Sequence, residues 1–186
     1  KSLEKVMGIS LVKGQRISLE KQDKSALSNV TFGLGWDPVN AGFWTWIFGS
    51  TEIDLDASCI LFDQDKNPVD IVYYGQLRSK DNSIQHTGDN LTGEGDGDDE
   101  SIKVALNRIP PKIKYLAFTI NSFQGQTFDK IDNAFCRLID TQSNKEICRY
   151  TLSEKGAHTG VIMAILYRHD GDWKLRAVGD PANGRT

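Results

Sequence analysis

Residues 161–178 read VIMAILYRHDGDWKLRAV, and this stretch decides the fold. It contains two β-type runs, Val161–Tyr167 and Trp173–Val178, rich in the branched and aromatic side chains that favour strands. Between the runs stands His169-Asp170-Gly171-Asp172, and the Asp-Gly pair is typical of tight turns. The stretch therefore predicts two strands joined by a tight connection.

The same combination of a short β-type run and turn chemistry recurs along the chain. Residues 16–19, for example, alternate polar with apolar side chains, as expected of a strand with one buried face. Helix is limited to short helical turns, because no stretch sustains a long helical period. About eleven short strands predict an all-β fold, an antiparallel β-sandwich of two sheets. The remaining candidate strands are Ile9–Val12, Val30–Leu34, Ile53–Phe62, Ile71–Tyr74, Ile102–Leu106, Tyr115–Ile120, Ala134–Ile139 and Ile147–Tyr150.

Length and composition point to one globular domain. The chain has 186 residues, of which 39% are hydrophobic, and no apolar run approaches the roughly 20 residues of a membrane-spanning helix. No secretory signal is visible at the start of the sequence. Three widely spaced cysteines, Cys59, Cys136 and Cys148, predict apolar packing of thiols in a reducing, cytoplasmic compartment. The tail at 180–186 is expected to be loosely held.

Negative charge is concentrated in one segment. The formal net charge is −3, yet residues 88–100 (GDNLTGEGDGDDE) alone carry six carboxylates and no Lys or Arg. The rest of the chain is therefore at +3. Nucleic acid is not an expected partner, because phosphates would be repelled by this acidic surface.

The acidic segment is a candidate calcium site. Like charges held close together repel, and a bound cation relieves that repulsion. Calcium accepts six to eight oxygen ligands in flexible geometry, and the glycines let the backbone curl so that carbonyls can join the carboxylates. The candidate ligands from this segment are Asp89, Asn90, Gly95, Asp96, Asp98, Asp99 and Glu100.

A second group of acids strengthens the calcium hypothesis. Asp54 and Asp56 are two positions apart, so they lie on one face of a strand, with Leu55 on the other face. Asp37 stands at the end of another predicted strand. We expect these acids to meet the acidic segment at one end of the sandwich and to bind Ca²⁺. The competing interpretation is a solvated acidic loop with an edge strand that carries deterrent charges.

Other motifs were weighed against this one. Asp63–Asn67 begins like a calcium-binding loop, but Pro68 occupies the position that needs glycine, so a hairpin turn is predicted. The three histidines are His86, His158 and His169, which we expect at surface or turn positions. Paired carboxylates also allow a metal-dependent hydrolase acting on a phosphoester, for which His86 is the only candidate base.

An aromatic segment lies between Asp37 and Asp54 in the sequence. Phe43, Trp44, Trp46 and Phe48 stand within six residues, bracketed by glycines. The plainer interpretation is a buried strand or a lid over the end of the sandwich. The alternative is an exposed patch that docks a partner or a lipid surface in a calcium-dependent way.

Several of these motifs together resemble the bacterial TerD family of tellurium-resistance and stress proteins. The resemblance rests on MGISL at 7–11, GLGWD at 33–37, DLDAS at 54–58, HTGDNLTGEGDGDDE at 86–100 and WKLRAVG at 173–179. It implies a calcium-binding sandwich domain over residues 7–179, with an N-terminal extension at 1–6. It also implies calcium ligands among the same strand and loop acids.

The resemblance further implies a role without a settled catalytic activity. Members are thought to act in larger stress-response assemblies, some of them at the membrane. We therefore expect a non-enzymatic calcium-binding module that scaffolds a tellurite and chemical stress-resistance assembly. The expected location is cytoplasmic, peripheral at the inner membrane face, with other stress-response proteins as partners. The hydrolase and the calcium-dependent membrane-docking module stay open as alternatives.

Overall fold

In the part of the chain that the structure describes, there are twelve strands in two six-stranded sheets. A computed structural model describes residues 8–19, 26–38, 55–89, 98–122, 125, 127–153 and 155–183. The strands are β1 (Ile9–Leu11), β2 (Arg16–Ser18), β3 (Asn29–Pro38), β4 (Leu55–Phe62), β5 (Pro68–Val72), β6 (Ile84–Asp89), β7 (Glu100–Ala105), β8 (Tyr115–Ser122), β9 (Ile131–Asp140), β10 (Lys145–Thr151), β11 (Gly160–His169) and β12 (Asp172–Ala182). Short 3₁₀ turns at Leu106–Arg108 and Phe128–Lys130 are the helical elements of the described residues.

The two sheets pack face to face, which confirms the predicted all-β sandwich. The first sheet has the order β1-β10-β9-β3-β7-β6, and the second has the order β2-β12-β11-β8-β4-β5. Their inner faces meet in one apolar core, where the ring of Phe32 from β3 stacks on that of Phe118 from β8 at 3.9 Å between centroids. Both rings are fully buried, so this pair fastens the centres of the two sheets together.

The hairpin of β11 and β12 forms where the sequence predicts it. Strand β11 ends at His169 and pairs with Asp172, and the two residues between them, Asp170 and Gly171, have φ of 51° and 81°. A two-residue turn with positive φ at both positions matches the right-handed twist of its strands, and Asp-Gly tolerates that geometry. The predicted turn after β4 is confirmed as well, because Asp63 Oδ1 accepts hydrogen bonds from the backbone N–H groups of Asp65 and Asn67.

Several sequence-based boundaries differ from the structure. Strand β6 was not predicted, because Ile84–Asp89 has few strand-favouring residues and runs directly into the acidic segment. Strand β1 pairs with β10 in parallel, so the first sheet is mixed instead of wholly antiparallel. Strand β12 continues to Ala182, where it still pairs with Gly160, so residues 180–182 are part of a strand and not of the loosely held tail predicted from residue 180.

The cysteines are buried and free, as the sequence indicates. Burial raises the pKa of the Cys59 and Cys136 thiols far above the ordinary value, and it raises that of Cys148 to about 12. The thiols are therefore protonated at neutral pH and pack as small apolar groups in the core.

Candidate functional site

The acidic segment connects β6 to β7 at one end of the first sheet. The two strands are antiparallel neighbours, and Asp89 at the end of β6 pairs with Glu100 at the start of β7. On its other side β7 pairs with β3, where Leu34 lies opposite Glu100. The described end of the acidic segment, Asp98–Glu100, therefore lies beside the GLGWD segment of β3, which also carries Asp37.

Glu100 fixes the end of the acidic segment to the second sheet. Its Oε2 accepts a hydrogen bond of 2.5 Å from the backbone N–H of Ala57 in β4. The same oxygen lies 3.2 Å from Nε2 of His86 in β6, and both side chains are at most 3% exposed. The carboxylate thus bridges the two sheets. It also places the end of the segment next to the strand that begins with Leu55 and Asp56.

Hydrogen bonding determines which ring nitrogen of His86 carries the proton. The backbone N–H of Gly88 donates to Nδ1 of His86 at 2.9 Å, so Nδ1 carries a lone pair. The proton of the neutral ring then stands on Nε2, which donates to Glu100. His86 was expected at a surface or turn position; that expectation is wrong, since the residue is 2% exposed. His158 is buried as well, and only His169 is exposed.

Asp98 is held by an arginine. Its carboxylate oxygens accept hydrogen bonds from Nε and a terminal nitrogen of Arg137 in β9, at 2.7 and 3.1 Å. The hydrogen bond with Asp98 raises the pKa of Arg137 above its ordinary value. A Cβ atom at Gly33 would lie 2.1 Å from the Asp98 carboxylate, so the glycine makes room for this pair. The Asp98 charge is therefore balanced within the protein.

Asp99 ties the acidic segment to β3. Its backbone N–H donates to the carbonyl of Leu34 at 2.8 Å, and its Oδ2 accepts from the backbone N–H of Trp36 at 2.8 Å. The side chain is exposed, in contrast to those of Asp98 and Glu100. Three successive acids thus each contact a different element of the sandwich.

Asp56 lies on the outer face of the second sheet. Leu55 and Ala57 are 1% and 0% exposed and face the core, whereas Asp56 between them is half-buried and faces outward, so the predicted alternation is confirmed. Asp56 pairs with Asn121 of β8 in the strand register. The sheet partner of Asp37 is Asp132 of β9.

The structure brings together some of the candidate ligands, and others fall outside the residues it describes. Glu100 contacts the backbone of Ala57, the residue after Asp56, whereas Asp98 is bound to Arg137 and Asp99 to the backbone of β3. Within the described residues, no group of three His, Cys, Asp or Glu side chains could hold a metal ion. Candidate ligands outside the described residues are Asp54, Asn90, Gly95 and Asp96, and the aromatic segment with Phe43, Trp44, Trp46 and Phe48 lies outside them too. For Asp37 and Asp89 the structure describes the backbone but not the side chain.

The fold and this acidic end together define a class of protein: a two-sheet β-sandwich with an acidic connection between neighbouring strands. A family model described as the TerD domain matches residues 7–185, and the chain belongs to this family. The predicted resemblance is therefore confirmed.

Comparisons with known proteins agree with this assignment. The chain is 50% identical to tellurium resistance protein TerZ of Serratia marcescens over 96% of its length and 92% of the relative. It is 42% identical to stress response protein SCP2 of Bacillus subtilis (strain 168), over 95% of this chain and 94% of that one. Neither name describes a catalytic activity.

A solved structure shows the same fold. It is described as a homologue of telluride resistance protein (TerD) from Streptomyces coelicolor A3(2). The TM-score is 0.68 at 22% identity, and the match covers 86% of this chain and 93% of that chain. At this level of identity the likeness concerns the fold alone. No helix in the described residues is long and apolar enough to cross a bilayer.

Proposed function

We propose that the chain is a non-enzymatic calcium-binding module of a tellurium and chemical stress-resistance system, in which it scaffolds a protein assembly. The observation that carries the proposal is the hydrogen bond from the Ala57 N–H to Glu100 Oε2. It anchors the end of the acidic segment one residue from Asp56. This contact supports the proposal, because it brings the end of the acidic segment close to the strand that carries Asp56.

The hydrogen bonds of the described acids divide the candidate ligands into two groups. Asp98, Asp99 and Glu100 accept hydrogen bonds from Arg137, the Trp36 N–H and the Ala57 N–H, and they hold the acidic segment in place. The proposed ligands are then Asp54 and Asp56 of the strand and Asp89, Asn90, Gly95 and Asp96 of the segment. This set supplies only oxygen donors, which fits calcium and does not fit zinc or copper.

The surroundings of His86 support a binding role over hydrolysis. The hydrolase alternative needs a base that can reach a substrate, and His86 was the candidate. Both of its ring nitrogens are engaged, with the Gly88 N–H and with Glu100, and the side chain is buried. A hydrolase built on this histidine would have to break the bridge between the sheets.

We place the module in the cytoplasm, working with other stress-response proteins at the inner face of the membrane. Three free, buried thiols fit a reducing compartment. Docking through Phe43, Trp44, Trp46 and Phe48 stays a prediction of the sequence.

A thermal melt in EDTA, calcium or magnesium tests the calcium site. Calcium at a hundredfold excess over Kd should add about 2.7 kcal/mol to the free energy of unfolding, because it binds the folded state alone. Magnesium should add less, since it demands a tighter octahedron. Asp56→Asn should remove the calcium shift.

The matched control is Asp65→Asn, the same change in the turn at the far end of β4. Strand β4 spans eight residues, so this control lies roughly 25 Å from Asp56. Its calcium shift should equal that of the wild type. Equal melting temperatures in EDTA and calcium would refute the site. A second test uses growth on tellurite. If Asp56→Asn supports this growth as well as Asp65→Asn does, the link between calcium and resistance is refuted.

A further inference from the structure

The outer face of the second sheet carries a groove that the acidic end does not involve. Its volume is about 680 Å³, which is within the usual range for small-molecule sites. The described residues that line it include four Lys or Arg side chains, His169 and no carboxylate. The groove is therefore basic on a chain whose net charge is −3.

The strand register aligns the groove into two rows of side chains. In the first row, Lys174 of β12 pairs with Tyr167 of β11, which pairs with Tyr115 of β8. Tyr115 in turn pairs with Phe62 of β4, so three aromatic side chains follow one cation across four neighbouring strands. This row places three aromatic side chains on neighbouring strands, with a positive charge at one end.

The second row also has its positive charges at the end that lies on β2 and β12. Arg16 of β2 pairs with Arg176 of β12, and Arg176 pairs with Ile165 of β11. Ile165 pairs with Ala117 of β8. The cations of both rows thus gather on the side of β2 and β12, and the apolar side chains gather on the side of β8 and β4.

The apolar residues here break the usual pattern of a sandwich. An outward sheet face is normally polar, because it meets water. In this groove Tyr115, Ile165 and Tyr167 are half-buried on the outer face, whereas their neighbour Leu166 faces the core at 0% exposure. An unexpected apolar floor beside charged residues marks a binding surface.

The charges of the groove are not balanced by the described part of the protein. Among the described residues, Arg16, Lys66, Lys174 and Arg176 form no ion pair, whereas Arg137 and Arg149 on the first sheet both do. Nδ1 of His169 lies 3.0 Å from Oδ2 of Asp170, a residue that does not line the groove. The groove therefore offers positive charge to an anion from solution.

We propose that this groove binds a small anion of the nucleoside phosphate class. The base stacks over Tyr115 and Tyr167, and the phosphates lie at Arg16, Lys174 and Arg176. Strands β8 and β12 are two steps apart, or about 10 Å, a span that a nucleoside diphosphate bridges and inorganic phosphate does not. Three cations in two rows match the charge of a diphosphate better than that of a ligand with a single carboxylate. The volume of the groove suits one small molecule better than a polynucleotide.

Calorimetric titration of the full chain with ADP in EDTA tests the proposal. EDTA separates this site from the proposed calcium site, because no divalent ion is available to bridge phosphates to carboxylates. ADP should bind saturably with one site per chain. Adenosine and inorganic pyrophosphate should each bind at least about tenfold more weakly, since each fills one half of the groove.

Two matched pairs of variants locate the binding. Arg176→Gln should weaken ADP binding about tenfold, whereas Arg108→Gln, an exposed arginine outside the groove, should leave it unchanged. Tyr167→Leu keeps an apolar side chain and removes the ring, and it should weaken ADP at least about fivefold. Tyr74→Leu is its control, because Tyr74 is 45% exposed and does not line the groove. Unchanged melting temperatures would show that the variants fold.

Several results would overturn the proposal. Pyrophosphate binding as tightly as ADP would mean that the cations act without the aromatic side chains. Binding of dodecanoate without binding of ADP would assign the groove to a lipid-like anion. ADP binding that requires calcium would move the phosphates to the acidic end. An ADP affinity that is equal in wild type, Arg176→Gln and Tyr167→Leu would place the ligand elsewhere.

Discussion

The acidic end and the basic groove carry opposite charges, and they differ in how these charges are partnered. At the acidic end, Asp98 is paired with Arg137, and Glu100 accepts hydrogen bonds from two donors. In the groove, Arg16 and Arg176 have no carboxylate partner among the described residues. The charges of Asp98 and Glu100 therefore hold the sandwich together, whereas those of Arg16 and Arg176 can bind a ligand.

Burial explains the difference. A charge removed from water is tolerated when hydrogen bonds and an opposite charge replace the solvent. Glu100 and Asp98 are 3% and 8% exposed, and both have such partners. Arg16 and Arg176 are exposed, so water satisfies them until an anion arrives. Substitutions should therefore affect different properties: stability at Asp98 and Glu100, and ligand binding at Arg16 and Arg176.

The largest effect on stability is expected at Glu100. Glu100→Ala leaves the buried Ala57 N–H and the His86 Nε2–H without an acceptor, at a cost of roughly 3 to 5 kcal/mol in the free energy of unfolding. Glu100→Gln keeps one acceptor oxygen in the same place and should cost about half as much. Urea denaturation followed by fluorescence measures both values. A loss below about 1 kcal/mol for Glu100→Ala would show that the bridge is not structural.

A pair of arginine variants tests the comparison directly. Arg137→Gln removes the charge that balances the buried Asp98 carboxylate, so we expect a loss of about 2 kcal/mol in urea denaturation. The same change at Arg176 should cost less than about 0.5 kcal/mol, because this side chain is exposed and forms no ion pair with a described residue. Equal losses in the free energy of unfolding at Arg137 and Arg176 would contradict the distinction between charges that stabilise the fold and charges that bind a ligand.

The sequence predicted most strands, because alternation and turn chemistry are local signals. The pairing of β1 with β10 joins residues about 140 positions apart, as in Ile9 with Cys148, and no local signal specifies it. The groove also depends on pairing between distant strands, because Arg16, Tyr115 and Arg176 become neighbours only through that pairing. The positive charge of the chain outside residues 88–100 was visible in the sequence, but its location was not.

The bridge formed by Glu100 was missed although a signal for it was present. Glu100, Ile102 and Val104 stand at alternate positions of β7, and Ile102 and Val104 face the core at 0% and 1% exposure. The period of a strand therefore places Glu100 on the inner face as well. The acidic segment was interpreted as one unit with a common role, and this hid the point where the strand pattern begins. His86 follows Ile84 in the same way in β6.

The smallest expected effect is the pH dependence that Glu146 contributes. Burial opposes its ionisation, but hydrogen bonds and charge from Arg149 and Arg137 outweigh burial and hold the pKa of Glu146 below its ordinary 4.5. A depressed pKa stabilises the folded state above the unfolded pKa, and this stability is lost as pH falls through the folded value. Glu146→Gln should therefore remove a pH-dependent contribution of less than about 1 kcal/mol.

Urea denaturation of wild type and Glu146→Gln at pH 6, 4.5 and 3 measures this contribution. The two proteins should differ most at pH 6, and the difference should shrink as the pH falls, because protonation of the wild-type carboxylate removes its ion pairs. Asp65→Asn is the control, since Asp65 is exposed and forms no salt bridge with a described residue. If the gap between wild type and Glu146→Gln were the same at all three pH values, the guanidinium groups would hold Glu146 by packing, and its ionisation would not contribute.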